Sequence, residues 1–199
     1  GEVLCRTSDA TPCLVTGIYH TTGDNLRTPV IPDGFLSIGV ERKKGGKSRQ
    51  SYVVWEEQGI VPIMTLEMVS HTPGGEYDEK KDIYAQLGVL YYVIYNPEFY
   101  QRDRHQPFEV YKLVDGVYEL QTGEPFWMPE VGLAIGRVQG VFNGIEQEQL
   151  AWFDQNSDRY LTPEELADQA QQRAAEAEQR AEEEYQRAEQ ERQQRERLM

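Results

Sequence analysis

The sequence predicts an α/β domain with a mixed sheet, followed by a charged C-terminal helix. Three observations predict it. Two mainly apolar runs, Val61 to Val69 and Val89 to Tyr95, have the length and the β-branched and aromatic content of buried strands. Between them, Glu76 to Leu87 carries Tyr77, Ile83, Tyr84 and Leu87 at helical spacing, with Gly88 placed as the stop. From Glu164 onward the composition narrows to Glu, Gln, Arg and Ala.

Taken in order, residues 1–30 are weakly patterned, and only Cys13 to Tyr19 resembles a strand. Phe35 to Ile38 is a short apolar run that predicts a strand directly after Asp33, and Arg42 to Arg49 reads as a loop. Ser51 to Trp55 is β-prone and is broken by Glu56-Glu57-Gln58-Gly59. Ile63 to Val69 is the best central strand, and Pro73-Gly74-Gly75 marks the loop after it. Strand, helix and strand therefore follow one another within the length of one βαβ unit. Phe108 to Val114 and Val117 to Leu120 flank Asp115-Gly116, a strong two-residue hairpin signal. A further hairpin is predicted between Leu150–Phe153 and Arg159–Leu161.

Thr162-Pro163-Glu164-Glu165 starts the last helix, since Thr162 can cap, Pro163 suits the first helical position and Glu165 completes a capping box. Glu176/Arg180, Glu183/Arg187 and Glu191/Arg195 sit at i,i+4 in the favourable order. Ala167, Ala170, Ala174, Ala177, Ala181 and Ala188 keep a 3-4 spacing that Glu184 interrupts, so both a solvated single helix and a coiled coil between copies fit the pattern. The predicted division is a domain over residues 1–161 and a tail over 162–199.

The formal net charge is −14, and the tail does not account for it: residues 154–199 hold 13 acidic against 7 basic residues, which leaves −8 on the rest. Such a balance gives little sign of a broad nucleic-acid groove. Arg42, Lys43, Lys44, Lys47 and Arg49 form a local basic cluster that suits either a solvated loop or an interaction patch. Cys5 and Cys13 are the only cysteines and have no histidine at ligand spacing, which argues against zinc. With no span of apolar length and no basic-then-apolar leader, a cytoplasmic protein without membrane association is expected. The chain opens at Gly1, so a truncated N-terminus is expected as well.

Three separated polar residues carry the chemistry: Asp33, Glu67 and Lys80. Glu67 interrupts an otherwise apolar strand, and a buried carboxylate is costly unless it is paired or holds a metal. If the strand is half exposed, Glu67 instead faces solvent. Asp33 in Pro32-Asp33-Gly34 also suits a turn, and Lys80, with Lys81 beside it, also suits a helix surface. Two carboxylates and a lysine can bind a divalent ion and steady a phosphate.

In context the pattern resembles the PD-(D/E)XK nuclease superfamily. More closely, it is similar to the restriction endonuclease family abundant in cyanobacteria that was formerly a domain of unknown function. The resemblance runs from about Gly17 to Glu165. It rests on Val30-Ile31-Pro32-Asp33-Gly34-Phe35-Leu36-Ser37-Ile38-Gly39-Val40, on Ser51-Tyr52 with Trp55-Glu56-Glu57, and on Leu66-Glu67-Met68-Val69-Ser70. It continues through Glu79-Lys80-Lys81-Asp82-Ile83-Tyr84 with Leu87-Gly88-Val89, and Tyr91-Tyr92-Val93-Ile94-Tyr95-Asn96-Pro97. Tyr111 to Gly116 and Leu161 to Glu165 complete it.

The resemblance implies a restriction-endonuclease-like core, a mixed sheet flanked by helices, and Mg2+-dependent hydrolysis of phosphodiester bonds in DNA. It implies that Asp33 and Glu67 ligate Mg2+, and that a lysine polarises the attacking water or stabilises charge on the phosphate. In the plain motif that lysine lies two residues after the acid; here Val69 stands there. The family places a lysine on the next helix, four residues before a tyrosine, which selects Lys80 ahead of Tyr84 over Lys81. The acid that the family often has four residues earlier is here Glu76. Only 32 residues precede Asp33, where the family usually has a helix and a strand or two. The alternative function is a catalytically inactive binding or assembly module of the same fold, with the tail recruiting a partner or forming a homo-oligomer.

Overall fold

Glu67 belongs to a strand buried on both faces, and the sheet is built outward from that strand. The computed structural model describes residues 2–5, 17–21, 29–41, 47, 51–72, 74–142 and 144–198. The chain divides into two compact units, Gly1–Asp158 and Arg159–Met199.

In the first unit the strands are β1 (Glu2–Cys5), β2 (Ile18–Tyr19), β3 (Gly34–Ile38), β4 (Tyr52–Val53) and β5 (Met64–Met68). Helix α1 (Glu79–Leu87) leads to β6 (Tyr91–Tyr95), and the short α2 (Tyr100–Asp103) leads to β7 (Phe108–Val114). Then follow β8 (Val117–Leu120), β9 (Phe126–Met128), β10 (Leu133–Phe142) and β11 (Ile145–Phe153). The main sheet has six strands in the order β1-β3-β5-β6-β7-β8. Within this sheet only β5 and β6 are parallel, as a βαβ crossover requires, and its other pairings are antiparallel; β2 and β4 form a separate parallel pair. The predicted hairpin is present: Asp115 (φ 49°) and Gly116 (φ 82°) are both left-handed, the conformation of a type I′ turn.

Strand parity sorts the two faces. Phe35, Thr65, Glu67, Tyr92, Ile94, Glu109 and Tyr111 share one face. Tyr84 and Leu87 of α1 pack there with Phe35, Tyr92, Ile94 and Tyr111, joined by Ile18, Val30 and Tyr52. Leu36, Met64, Tyr91, Val93 and Val110 line the other face, against Met128, Val131 and Ile135. That second face is covered by a three-stranded sheet, β11-β10-β9. A helix thus lies over one face and a small sheet over the other.

Several expectations shift. Helix α1 begins at Glu79 rather than Glu76, because Gly75 (φ 81°) bends the chain and its carbonyl accepts the Asp78 and Lys80 amides. Ser51 to Trp55 pairs only over Tyr52–Val53, and Val54–Glu57 closes into a 3-10 turn capped by left-handed Gln58. Leu150–Phe153 is not a strand of its own. It continues β11, whose partner is β10, with Ala134 opposite Phe153. Gly136 on β10 lies so close to Pro125 that a Cβ would sit 2.9 Å from its Cα, so only glycine fits there. Of the basic cluster, Arg42, Lys43, Lys44 and Arg49 lie outside the described residues, as does Cys13; Lys47 is exposed.

In the second unit, α3 (Pro163–Arg197) buries no residue. Its predicted capping box is complete: Glu165 N donates to Thr162 Oγ1 at 3.2 Å, and Thr162 N donates to Glu165 Oε2 at 2.8 Å. Arg159 clasps both Glu165 oxygens at 2.8 and 2.7 Å, and that pairing, with the Thr162 amide, holds the Glu165 carboxyl down at about 2. Among the described residues, no helix is long and apolar enough to cross a membrane.

Candidate active site

The site forms where the parallel β5–β6 pair ends, beneath the start of α1. Glu67 sits on the face that α1 covers and is 1% exposed. Lys80 and Tyr84 are four residues apart on α1, which places both on one helix face. Each takes one oxygen of Glu67. Tyr84 donates its hydroxyl to Oε1 at 2.6 Å, and Lys80 donates to Oε2 at 2.7 Å. Lys80 Nζ also donates to the carbonyl of Ile31 at 3.4 Å.

Ile31 begins the segment that delivers Asp33. Extending the β3–β5 register one step beyond Gly34–Leu66 sets Asp33 opposite Glu67. The exposed Asp33 carboxylate is tied into place through the next residue of β5: the Met68 amide donates to Asp33 Oδ2 at 2.7 Å. One oxygen of Asp33 thus fixes the loop to the strand. All three residues singled out in the sequence converge on one end of β5, and Glu67 is buried rather than facing solvent.

Electrostatics follow from burial. Removal from water pushes the Glu67 carboxyl up to about 7; the Lys80 and Tyr84 hydrogen bonds and the Lys80 charge pull the other way, and Asp33 adds to the rise. Burial, then the Glu67 charge, drives the Tyr84 hydroxyl upward, so it stays protonated as a donor. Lys81 takes no part: its ammonium lies over the Tyr111 ring, 3.7 Å from the centroid, and burial lowers its pKa. Glu76, also buried, accepts the Gly74 amide with both carboxylate oxygens at 3.0 and 2.8 Å. Its carbonyl accepts the Tyr92 hydroxyl at 2.7 Å, so Glu76 shapes the loop before α1.

With this geometry in hand, the comparisons with known proteins are decisive at one level. The profile of the Uma2 family, described as "Putative restriction endonuclease", matches residues 13–143. The chain belongs to the Uma2 family. No curated protein and no solved structure matches. The Uma2 match spans β3, β5, α1 and β6, and therefore every group just described.

The sequence marks Tyr84 as part of the helix face and as a spacing marker for Lys80, not as a partner of Glu67. Its position on the buried face of α1, one turn beyond Lys80, was the signal that it reaches Glu67. Glu109 was missed altogether. It is buried in the same cross-strand row as Ile94 and Glu67, and holds the Gln106 amide at 3.0 Å, the Tyr111 hydroxyl at 2.7 Å and His105 Nδ1 at 3.2 Å. The His105 ring in turn stacks on Tyr77 with centroids 3.6 Å apart. This cluster pins the loop between α2 and β7 to the sheet, and alternation of Glu109 with Phe108 and Val110 was its only sequence trace.

The donor set at Glu67 is two carboxylates, which suits a hard divalent ion. Among the described residues, no group of three or more His, Cys, Asp or Glu gathers as a metal cage. Two carboxylates are enough for Mg2+, which usually keeps several waters and takes substrate phosphate oxygens besides.

Proposed function

We propose that this chain is a metal-dependent nuclease that hydrolyses phosphodiester bonds in DNA, with Asp33 and Glu67 holding Mg2+ and Lys80 serving the phosphate. The observation that carries this reading is the convergence of Asp33, Glu67 and Lys80 at the end of β5, from segments far apart in sequence. When bound, Mg2+ would supply a lowered water pKa and charge for the pentacovalent transition state. Asp33 reaches the site with one oxygen fixed on Met68 N–H and the other directed by that bond. Tyr84 holds Glu67 Oε1 and so orients Oε2. Lys80, with a side chain 24% exposed, stands between Glu67 and solvent, where its ammonium can donate to a phosphate oxygen.

The test is incubation of the full chain with labelled DNA and Mg2+ beside Glu67→Ala and Lys80→Ala. Cleavage by the parent that disappears in both variants supports the assignment; cleavage surviving in both sinks it. One observation favours a second reading, an inactive binding or assembly module: the 35-residue α3 buries nothing in its own unit, and its interrupted alanine row fits a partner copy as well as solvent. Sedimentation with and without residues 164–199 separates the two, since an unchanged monomer mass removes self-association through the tail.

A further inference from the structure

Lys80 occupies one of the two carboxylate oxygens of Glu67. Tyr84 takes Oε1 at 2.6 Å and the Lys80 ammonium takes Oε2 at 2.7 Å, while only 1% of the residue remains exposed. The ammonium also touches the Ile31 carbonyl at 3.4 Å, so it sits among oxygens of the two segments that supply the carboxylates. A cation approaching Glu67 from solvent meets Lys80 first, because Lys80 is the more exposed partner of the pair, 24% against 1%. An ammonium and a divalent ion on the same carboxylate repel each other strongly in a site with so little water.

We infer that Lys80 is a tethered substitute for the metal. It neutralises Glu67 while the site is empty of divalent ions, and it must leave Oε2 when one binds. The two cations are therefore alternatives at Glu67, and the displaced ammonium is released toward solvent, the side from which a phosphate arrives. Metal loading and delivery of the lysine become one exchange. This inference rests on the nuclease reading for the presence of a metal, but it concerns binding, and it can fail while that reading stands.

The geometry limits what each neighbour can do. Tyr84 is neutral and competes with nothing, so it keeps Glu67 in place through the exchange. Lys81 cannot replace Lys80, because its ammonium rests on Tyr111. Removing the Lys80 charge should therefore make divalent-ion binding tighter, although the same change removes a group needed for hydrolysis.

The experiment is a titration of the full chain with Mn2+, followed by the electron paramagnetic resonance of free Mn2+, without DNA. The parent is compared with Lys80→Met, Lys81→Met and Glu67→Gln, and the rise of Tm with Mg2+ is measured in parallel. Lys80→Met should bind Mn2+ at least about tenfold more tightly than the parent, as loss of one adjacent positive charge in a poorly hydrated site implies. Lys81→Met should bind as the parent does, and Glu67→Gln should lose the site. If Lys80→Met does not fold, Lys80→Gln carries the same test, since it can donate to the same oxygen without charge. Parent binding that is unchanged or weaker in the Lys80 variants overturns the exchange and leaves the nuclease reading intact. No Mn2+ binding in the parent or in either Lys80 variant overturns both.

Discussion

Tyr84 and Glu67 meet at 2.6 Å across the interface between α1 and β5, inside a region that excludes water. The hydroxyl is the only partner of Glu67 Oε1 among the described residues, and burial keeps it protonated. Tyr84→Phe leaves the ring packing intact and that oxygen bare. An unsatisfied buried acceptor costs about 1–3 kcal/mol. Urea unfolding of the variant should lose stability in that range, with an unchanged m-value; a loss below a few tenths would show that Oε1 is hydrated.

Glu67 makes stability depend on pH in the direction opposite to most carboxylates. Its folded pKa, about 7, lies above the ordinary value of 4.5, so the folded state holds the proton more tightly. The contribution is complete below the unfolded pKa and is lost as pH rises through 7. At about 1.4 kcal/mol per pKa unit, the change across that window is on the order of 3 kcal/mol. Glu67→Gln does not titrate, so the difference between parent and variant unfolding free energies should fall as pH rises from 4.5 to 7 and flatten above it. A flat difference throughout would refute the raised pKa.

Asp33 separates a structural from a chemical role. Asp33→Asn retains an oxygen that can accept the Met68 amide, so its Tm should stay close to that of the parent. Asp33→Ala removes the acceptor from an exposed contact and should cost about 0.5–1.5 kcal/mol. Under the nuclease reading, both variants lose cleavage equally. Full activity in Asp33→Asn would remove Asp33 from the metal site.

Glu109 should matter for folding alone. Glu109→Ala strands the Tyr111 hydroxyl and the Gln106 amide, and each buried group left without a partner costs about 1–3 kcal/mol. Thermal unfolding monitors the loss, and Tyr111→Phe should recover part of it in the double variant.

Thr162→Ala tests the second unit. Removing the cap of α3 should cost about 1 kcal/mol locally. Circular dichroism should report fewer helical residues while the near-ultraviolet signal of the aromatic-rich first unit is unchanged.

Much of this was legible in the sequence. The long apolar runs, the Asp115-Gly116 turn, the Gly88 stop and the Thr162 capping box each follow from local chemistry, and each is present. Asp33, Glu67 and Lys80 could be named, but only the fold could place Lys80 on Glu67 and Lys81 on Tyr111, since helix rotation decides between adjacent lysines. Of the β9–β11 sheet, only the end of β11, Leu150–Phe153, was legible as a strand. β10 and β11 alternate weakly and expose much of their length, so their apolar pattern is faint; their local signal is Asn143-Gly144 between Phe142 and Ile145, a two-residue hairpin sequence. Val54 and Trp55 misled because β-branched and aromatic residues favour extension, whereas the Gln58-Gly59 pair curls the chain back.

The βαβ segment described above has a consequence for how the site comes into being and how it can be lost. Glu67, Lys80 and Tyr84 lie within one stretch of 18 residues, so their mutual contacts close short loops. Asp33 arrives from 35 residues before Met68, and among the described residues its carboxylate is fastened by one hydrogen bond. The three partners therefore behave as a self-contained cassette and Asp33 as a detachable clasp. Under the nuclease reading, one substitution at the clasp would end cleavage while the cassette and its architecture remain.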